Sequence, residues 1–409
     1  MSTMPLDPRL VVEQGGLAGA IAGYRRRIAS GDVGQLPVVI GLIVIWTVFA
    51  FTSPNNSFLT PFNLTNLALQ SAATGTIAIG VVFVLLLGEI DLTVGIVSGL
   101  AAAVMAVLNV TMGVPGPVAV IAALVVGIGI GLLQGVWITK FGIPAFVVTL
   151  AGLIAWQGAL LFVLGSTGTL NLNDGFITSL AGTFFTGAVA WGLGALFVLY
   201  VAATALTTRR SRMLAELPSE PIVVLAIRVV VIAVLVAVAI FVLLQDATRG
   251  LPLSLVILVA LVVVMDFVAR RTRFGRMIFA VGGNAEAARR AGIKVDRVRI
   301  AVFTMASLFA AIGGILAASR LLAVNQSAGG GDVLLNAIAA AVIGGTSLFG
   351  GRGTVWAALL GILVIQSISN GMDLLSFESS VKFMITGAVL LTAVTIDAVA
   401  RRGREVSGR

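Results

Sequence analysis

Apolar stretches follow one another along nearly the whole chain, parted by short breaks of polar, glycine or proline residues. A helix needs roughly 20 largely apolar residues to cross a bilayer. That rule predicts spans over residues 36–52, 66–88, 92–112, 116–139, 143–165, 184–206, 221–244, 251–269, 299–323, 333–350, 354–372 and 380–399. The pattern predicts an all-α polytopic membrane protein of about twelve transmembrane helices. The first and tenth stretches are short, which predicts tilt, a kink or partial insertion. Ser53-Pro54-Asn55-Asn56 and the segment from Met112 to Pro117 carry no charge and are rich in helix breakers, as suits short outer loops. A longer outer segment from Ser166 to Thr183 holds Asn171, Asn173 and Asp174.

One interval breaks the pattern. Residues 270–299 read RRTRFGRMIFAVGGNAEAARRAGIKVDRVR. This segment cannot lie in hydrocarbon, where a single central Arg or Lys costs about 2.5 to 3.5 kcal/mol on insertion scales. It is predicted to be a solvent-side loop, and its basic character places it in the cytoplasm. Threading from that anchor puts all but Arg249, Arg320 and Lys382 of the 26 basic residues inside, provided that Arg228 snorkels to the cytoplasmic end of its span. Both termini are then predicted to be cytoplasmic. Residues 1–35 form a tail with no signal-peptide pattern, 36–399 form a single transmembrane domain, and 400–409 form a second tail. TTRRSRMLAELPSEP, from Thr207 to Pro221, is a further cytoplasmic loop.

Composition narrows the chemistry. The chain is 59% hydrophobic and 11% charged, against roughly 25% charged in soluble domains. It contains no Cys and no His, which removes disulfides, thiol nucleophiles and the commonest metal ligand and proton shuttle. The carboxylates are too scattered to nominate an acid/base pair, so no catalytic or metal-binding residues are predicted. The formal charge of +9 is explained by topology and implies no nucleic-acid partner.

Several local patterns carry two readings. Gly131-Leu-Leu-Gln134-Gly135 and its following apolar run resemble Gly361-Ile-Leu-Val-Ile-Gln366 and the run ending Thr386-Gly387-Ala388. Spans 2–5 and 9–12 would then be inverted repeats, with a substrate path at their interface. Asn284 to Gly292 has the marks of a short helix: Asn284 as cap, Glu286 in the first turn, Arg289 and Arg290 toward the end, and Gly292 for a left-handed exit. It is either a solvated connector or a docking element. Glu89 and Asp91, between spans 2 and 3, mark either a plain turn or a broken helix that lines or gates a path. Asn109, Gln134, Gln157, Asn336, Gln366 and Asn370, with Trp137 and Trp156 nearby, are either glue between helices or ligand contacts. Gly345 to Arg352 has the glycines of a phosphate loop but lacks its Lys-Ser/Thr ending, and no strand precedes it. Gly127, Gly129 and Gly131 lie inside a span, where small residues allow close helix packing.

Glu286-Ala287-Ala288, three residues and then Gly292 resemble the coupling loop by which permease subunits of bacterial ABC importers engage their ATPase. FGRMIFAVGGNAEAARRAGIKVDRVRIAVF, Gly88-Glu89-Ile90-Asp91-Leu92-Thr93-Val94-Gly95, the run from Pro144 to Gly152 and the run from Ala340 to Gly351 are similar to the ribose/xylose/galactose branch of sugar permeases. The likeness covers about residues 60 to 400 and is strongest to D-xylose permeases, which share the added segment from about 175 to 265.

The resemblance implies a permease in the bacterial inner membrane that moves a monosaccharide by alternating access and is not itself an enzyme. It implies two cytoplasmic ATPase subunits, an extracytoplasmic sugar-binding protein and a second permease copy in the lipid bilayer. This chain would bind no cofactor, with ATP and Mg used by the ATPase. Asn284, Glu286, Ala287, Ala288 and Gly292 would form the coupling element. Asn325, Gln326, Asp332, Asp373 and Glu378, on outer turns, are candidates for receptor docking. The competing readings are an ion-coupled secondary transporter of a small polar solute, for which there is no His and the in-span acids, Asp266 and Asp397, lie near cytoplasmic ends, and a membrane enzyme.

Overall fold

The computed structural model describes residues 35–217, 219 and 221–406. The predicted tail over 1–35, apart from its last residue, and residues 407–409 lie outside the described residues. The helices are α1 Leu36–Thr52, α2 Pro61–Leu86, α3 Val94–Ala106, α4 Gly116–Phe141, α5 Ala145–Leu164, α6 Phe176–Gly182, α7 Gly187–Leu214, α8 Ile222–Leu244, α9 Leu253–Arg271, α10 Arg273–Gly283, α11 Ala285–Arg290, α12 Val295–Leu321, α13 Gly331–Ile343, α14 Trp356–Leu374 and α15 Ser379–Val406. Among the described residues nine helices are long and apolar enough to cross a membrane, counting α3 with its continuation to Thr111, and α1, α13 and the start of α15 are shorter apolar helices. Each predicted span meets one of these twelve.

Local chemistry sets the boundaries. Thr60 caps α2 by accepting from the Asn63 N–H at 3.4 Å, and Pro61 follows at the first helical position. The end of α3 widens into a π-turn over Val107–Thr111, held by Asn109 Nδ2 donating to the Val114 carbonyl at 2.9 Å. Pro115 and Pro117 start α4, and Gly142 ends it in the left-handed conformation, φ 66°.

The chain divides into two compact units, one containing Phe184–Leu251, the other Pro37–Thr183 with Pro252–Val399. In the smaller, α7 and α8 pack on each other, where Gly194 admits the Ile240 side chain.

In the larger unit α2 and α12 are the central pair. α12 packs along α4, α2 and α3, while α2 packs along α12, α14 and α13. The close approaches fix direction. A Cβ on Gly80 would meet Ala306 and one on Gly313 would meet Ala73, so α2 and α12 run antiparallel. Gly127, Gly131 and Gly135 of α4 lie successively against Ser307, Phe303 and Ile300 of α12, which is again antiparallel. Gly75 of α2 touches Ile362 of α14, and Asn63 of α2 pairs with Asn370 further along α14, the same relation once more. Exchanging α2, α3 and α4 for α12, α13 and α14 maps this packing onto itself, with the two halves pointing in opposite directions. For these three pairs that is the arrangement expected of inverted repeats; the fourth predicted pair does not follow it, since α5 packs on α3 and α4 whereas comparable packing of α15 on α13 and α14 is not found among the described residues.

Several boundaries differ from the prediction: α7 runs on to Leu214 into the predicted loop from Thr207, and α15 runs on to Val406 into the predicted tail. The tenth stretch, expected over 333–350, is helical only to Ile343. Residues beyond it turn back through Gly345, Gly350, Gly351 and Gly353, all with positive φ, a backbone that Gly adopts without the penalty of a side chain. The predicted charged loop is largely helical. Thr272 caps α10 by accepting from the Gly275 N–H at 3.2 Å, and Gly275, Ile278 and Val281 are buried at three-residue spacing while Arg273 and Arg276 face out. Arg270 and Arg271 close α9, and Arg297 and Arg299 belong to the first turns of α12.

Candidate coupling and translocation site

The short coupling helix forms as its residues dictate. Asn284 Oδ1 accepts from the Ala287 N–H at 2.9 Å. Glu286 pairs with Arg289 at 3.3 Å and Arg290 at 3.2 Å, one turn on, and Gly292 takes φ 84°. Ala288 is the buried residue of this helix, and its carbonyl accepts from the Ile293 N–H at 3.0 Å. The helix thus rests on one small apolar contact and presents Glu286, Arg289 and Arg290 outward. The exposed ion pairs stabilise it by only about 0.3 to 0.5 kcal/mol each, so their charges remain available to a partner.

Three further segments meet beside it, at the end of α2. Gly282 of α10 lies so close to the Leu86 carbonyl that a Cβ there would stand 1.7 Å from it. That carbonyl accepts from the Gly351 N–H at 2.9 Å. Gly350 packs on Gly282 and Gly88. The glycine-rich run from Gly345 therefore closes this junction.

Just past it, Glu89 forms an ion pair with Arg299 at 2.8 Å, the two side chains 15% and 30% exposed. Burial lifts the Glu89 carboxyl above its ordinary range, and the Arg299 charge opposes that. Two residues on, Asp91 is 4% exposed. Its Oδ1 accepts from the Thr93 N–H at 2.8 Å and the Thr93 hydroxyl at 2.6 Å, an Asx turn that seats the start of α3. Desolvation raises the Asp91 pKa, against these two hydrogen bonds. Thr93 also meets Gln134 of α4 at 3.1 to 3.2 Å. Gly152 of α5 brings Trp156 to the same place, within about a side chain's reach of Gln134 and Thr93. Asp91 Oδ2 and Trp156 Nε1 are buried without a hydrogen-bond partner among the described residues. Buried polar atoms are normally satisfied, so this break in the helix pair is the place where α3, α4 and α5 hold unspent hydrogen-bonding capacity.

The other predicted residues lie elsewhere. Asn370 and Asn63 exchange two amide hydrogen bonds at 2.8 and 3.0 Å and tie α14 to α2. Asn109 serves its own π-turn. Asn336 and Gln366 are half-buried on α13 and α14. Gln157 Nε2 donates to the Gln326 carbonyl at 3.4 Å, beside the antiparallel pairing of Thr169–Asn171 with Ala323–Asn325. Asn325 accepts from the Ser327 N–H at 3.0 Å, and Asn325, Gln326 and Asp332 are exposed. Asp373 forms an ion pair with Lys382, and Glu378 accepts from the Ser380 hydroxyl at 3.3 Å. Arg299 and Gly282 were not among the residues predicted from sequence; both act on groups far away along the chain. Thr93 had a local signal, since Asp-x-Thr is the spacing of an Asx turn.

The family model described as the branched-chain amino acid transport system permease component matches residues 63–394. The xylose transport system permease protein XylH of Escherichia coli is 37% identical over 368 residues, 90% of this chain and 93% of its own length. Its counterpart in Haemophilus influenzae is 37% identical, covering 89% of this chain and 96% of its own length. The ribose import permease protein RbsC of Bacillus subtilis is 31% identical, covering 90% and 94%. No solved structure matches the chain. With its apolar helices and these matches along nearly its full length, the chain belongs to the family of multi-pass permease components of ABC importers, in the branch that holds the xylose and ribose permeases.

Proposed function

We propose that this chain carries a monosaccharide, D-xylose or a related sugar, across the bacterial inner membrane as the transport subunit of an ATP-driven importer. The observation that carries this reading is the 37% identity with the E. coli xylose permease over 90% of the chain. A second copy of the chain completes the pathway, an extracytoplasmic sugar-binding protein delivers the sugar, and cytoplasmic ATPase subunits supply the energy with their own ATP and Mg. The coupling element is α11, with Asn284 as its cap, Glu286, Ala287 and Ala288 in its body and Gly292 at its exit. Its exposed charges of both signs suit a partner cleft that reads position by electrostatic complementarity.

At the break between α2 and α3, Asp91 and Gln134 are the path residues that the packing supports best, joined through Thr93. A carboxylate and an amide that converge on a helix break can accept and donate to sugar hydroxyls when the break opens. Gln157, Asn336 and Gln366 are secondary path residues, whereas Glu89 is engaged by Arg299 and Asn109 and Asn370 spend their amides on neighbours in the chain. At the outer turns Asn325, Gln326, Asp332, Asp373 and Glu378 form the docking face for the sugar-binding protein.

The test is uptake into proteoliposomes that contain the chain, its co-purifying ATPase and a sugar-binding protein. Labelled D-xylose is expected to accumulate with ATP and to be indifferent to ionophores. Uptake that proceeds without ATP and follows an ion gradient would overturn the proposal. Asp91→Asn keeps an oxygen for the Thr93 turn while removing the charge. It is expected to lower uptake about tenfold with unchanged membrane content; a parallel loss of folded protein would make Asp91 a structural residue.

A further inference from the structure

The junction at the end of α2 joins segments that are remote in sequence: residues 86–89, 282–283, 299 and 350–351. Two of its contacts are backbone against backbone. Gly282 leaves no room for a side chain beside the Leu86 carbonyl, and Gly351 hydrogen-bonds that same carbonyl at 2.9 Å. Packed backbones of this kind transmit a displacement instead of absorbing it in rotamer changes. The third contact is the Glu89–Arg299 ion pair at 2.8 Å. A half-buried ion pair of this kind is a poor source of stability, because desolvation offsets much of the Coulomb gain. Here Arg299 Nε is buried and has no partner among the described residues, so the guanidinium is held by less than its full set of bonds.

The placement of the pair gives it a use. Arg299 lies in the second turn of α12, which continues from α11 through residues 291–294, and Glu89 lies two residues before Asp91 in the break that precedes α3. The coupling helix and the helix break are thus connected by one charge pair and one glycine junction.

We infer that Glu89 and Arg299, braced by Leu86, Gly282 and Gly351, are the positioning residues through which movement of α10 and α11 reaches the Asp91 break. This inference rests on the transport reading given above. An ATPase that shifts α11 drags Arg299 and the Gly282 junction with it. Glu89 follows its partner, and the Asx turn at Asp91 is pulled with the end of α2. Neither residue need touch the sugar.

Two measurements test it. In the same proteoliposomes, Glu89→Gln and Arg299→Gln are each expected to lower the sugar carried per ATP hydrolysed about tenfold, the size of an ordinary coupling free energy, with the amount of chain in the membrane unchanged. The exchange variant Glu89→Arg with Arg299→Glu is expected to recover most of that loss, which a merely structural role in packing would not. An unchanged ratio in both single variants overturns the inference. The second measurement needs neither ATPase nor sugar. The chain has no native cysteine, so spin labels at Ala291→Cys and Ile90→Cys report the distance between the coupling element and the break in lipid, diluted with unlabelled chain. One narrow distance is expected in the otherwise unsubstituted chain and a broad or split one with the gentle variant Arg299→Lys. Identical distributions would refute the link even if the chain proved to transport by another mechanism. Absence of ATP-dependent uptake by the unsubstituted chain would instead count against the transport reading.

Discussion

Helices α2 and α8 are both long enough to span a membrane, yet they meet their surroundings in opposite ways. α8 is the most apolar of the nine long helices, and only 11% of its span is buried within the protein; α2 is less apolar and 83% buried. The difference follows from the solvent. Lipid tails are as apolar as Leu or Val, so an apolar face needs no protein partner, whereas small and polar residues gain from close packing and hydrogen bonds between helices. α2 carries Asn63, Thr65, Ser71, Gly75, Thr76 and Gly80, all buried. The exposed side of α8 is a wall of Val230, Val231, Val234, Leu235 and Val238. Hydropathy therefore finds the spans, and the departures from it find the protein-facing sides.

That contrast can be broken at chosen positions. The largest effect is expected where a side chain is forced between backbones. Gly131→Val in α4 would push into the Phe303 carbonyl, 2.5 Å from the first added carbon, while Gly129 two residues away has nothing within 4 Å. The first is expected to cost about 3 kcal/mol or more and the second almost nothing, read as the fraction of monodisperse protein that survives heating in detergent. Next comes the amide pair. Asn370→Leu leaves Asn63 buried and half-satisfied and is expected to cost about 2 kcal/mol. The double variant Asn63→Leu with Asn370→Leu is expected to recover part of it, and strict additivity would contradict the pairing. Smaller again is Val82→Ala in α2, at 0% exposure, with an expected loss of about 1.5 kcal/mol. Val234→Ala on the open side of α8, 55% exposed, should change stability by less than about 0.5 kcal/mol. Equal losses at the two valines would erase the distinction between the helices.

Much of this was legible in the residues. Spacing of apolar runs located twelve helices, and the cap, charges and exit of α11 stood in the sequence because each acts within one turn. Gly127 and Gly131 of α4 are readable as packing surface for the same reason of periodicity, whereas Gly129 between them meets nothing within 4 Å. What escaped was long-range. α10 was hidden because its arginines masked a three-residue apolar spacing inside a basic block. The apolar pattern predicts too long a tenth span because Gly344, Gly345 and Leu348 are small or apolar yet lie in the turn beyond Ile343. Arg299 beside Glu89, and Gly282 on Leu86, depend on the antiparallel crossing of α2 and α12, which no local pattern encodes. The partner of Asn370 lies 307 residues away, beyond the reach of any local pattern.

Transfer of driving energy through α11 is the step on which the proposed function depends. It is tested most directly by Glu286→Lys, which places a third positive charge beside Arg289 and Arg290 without touching the buried Ala288. Sugar carried per ATP hydrolysed in proteoliposomes is predicted to fall about tenfold or more, with normal amounts of chain in the membrane. A ratio equal to that of the unsubstituted chain would contradict the claim and leave α11 a connector.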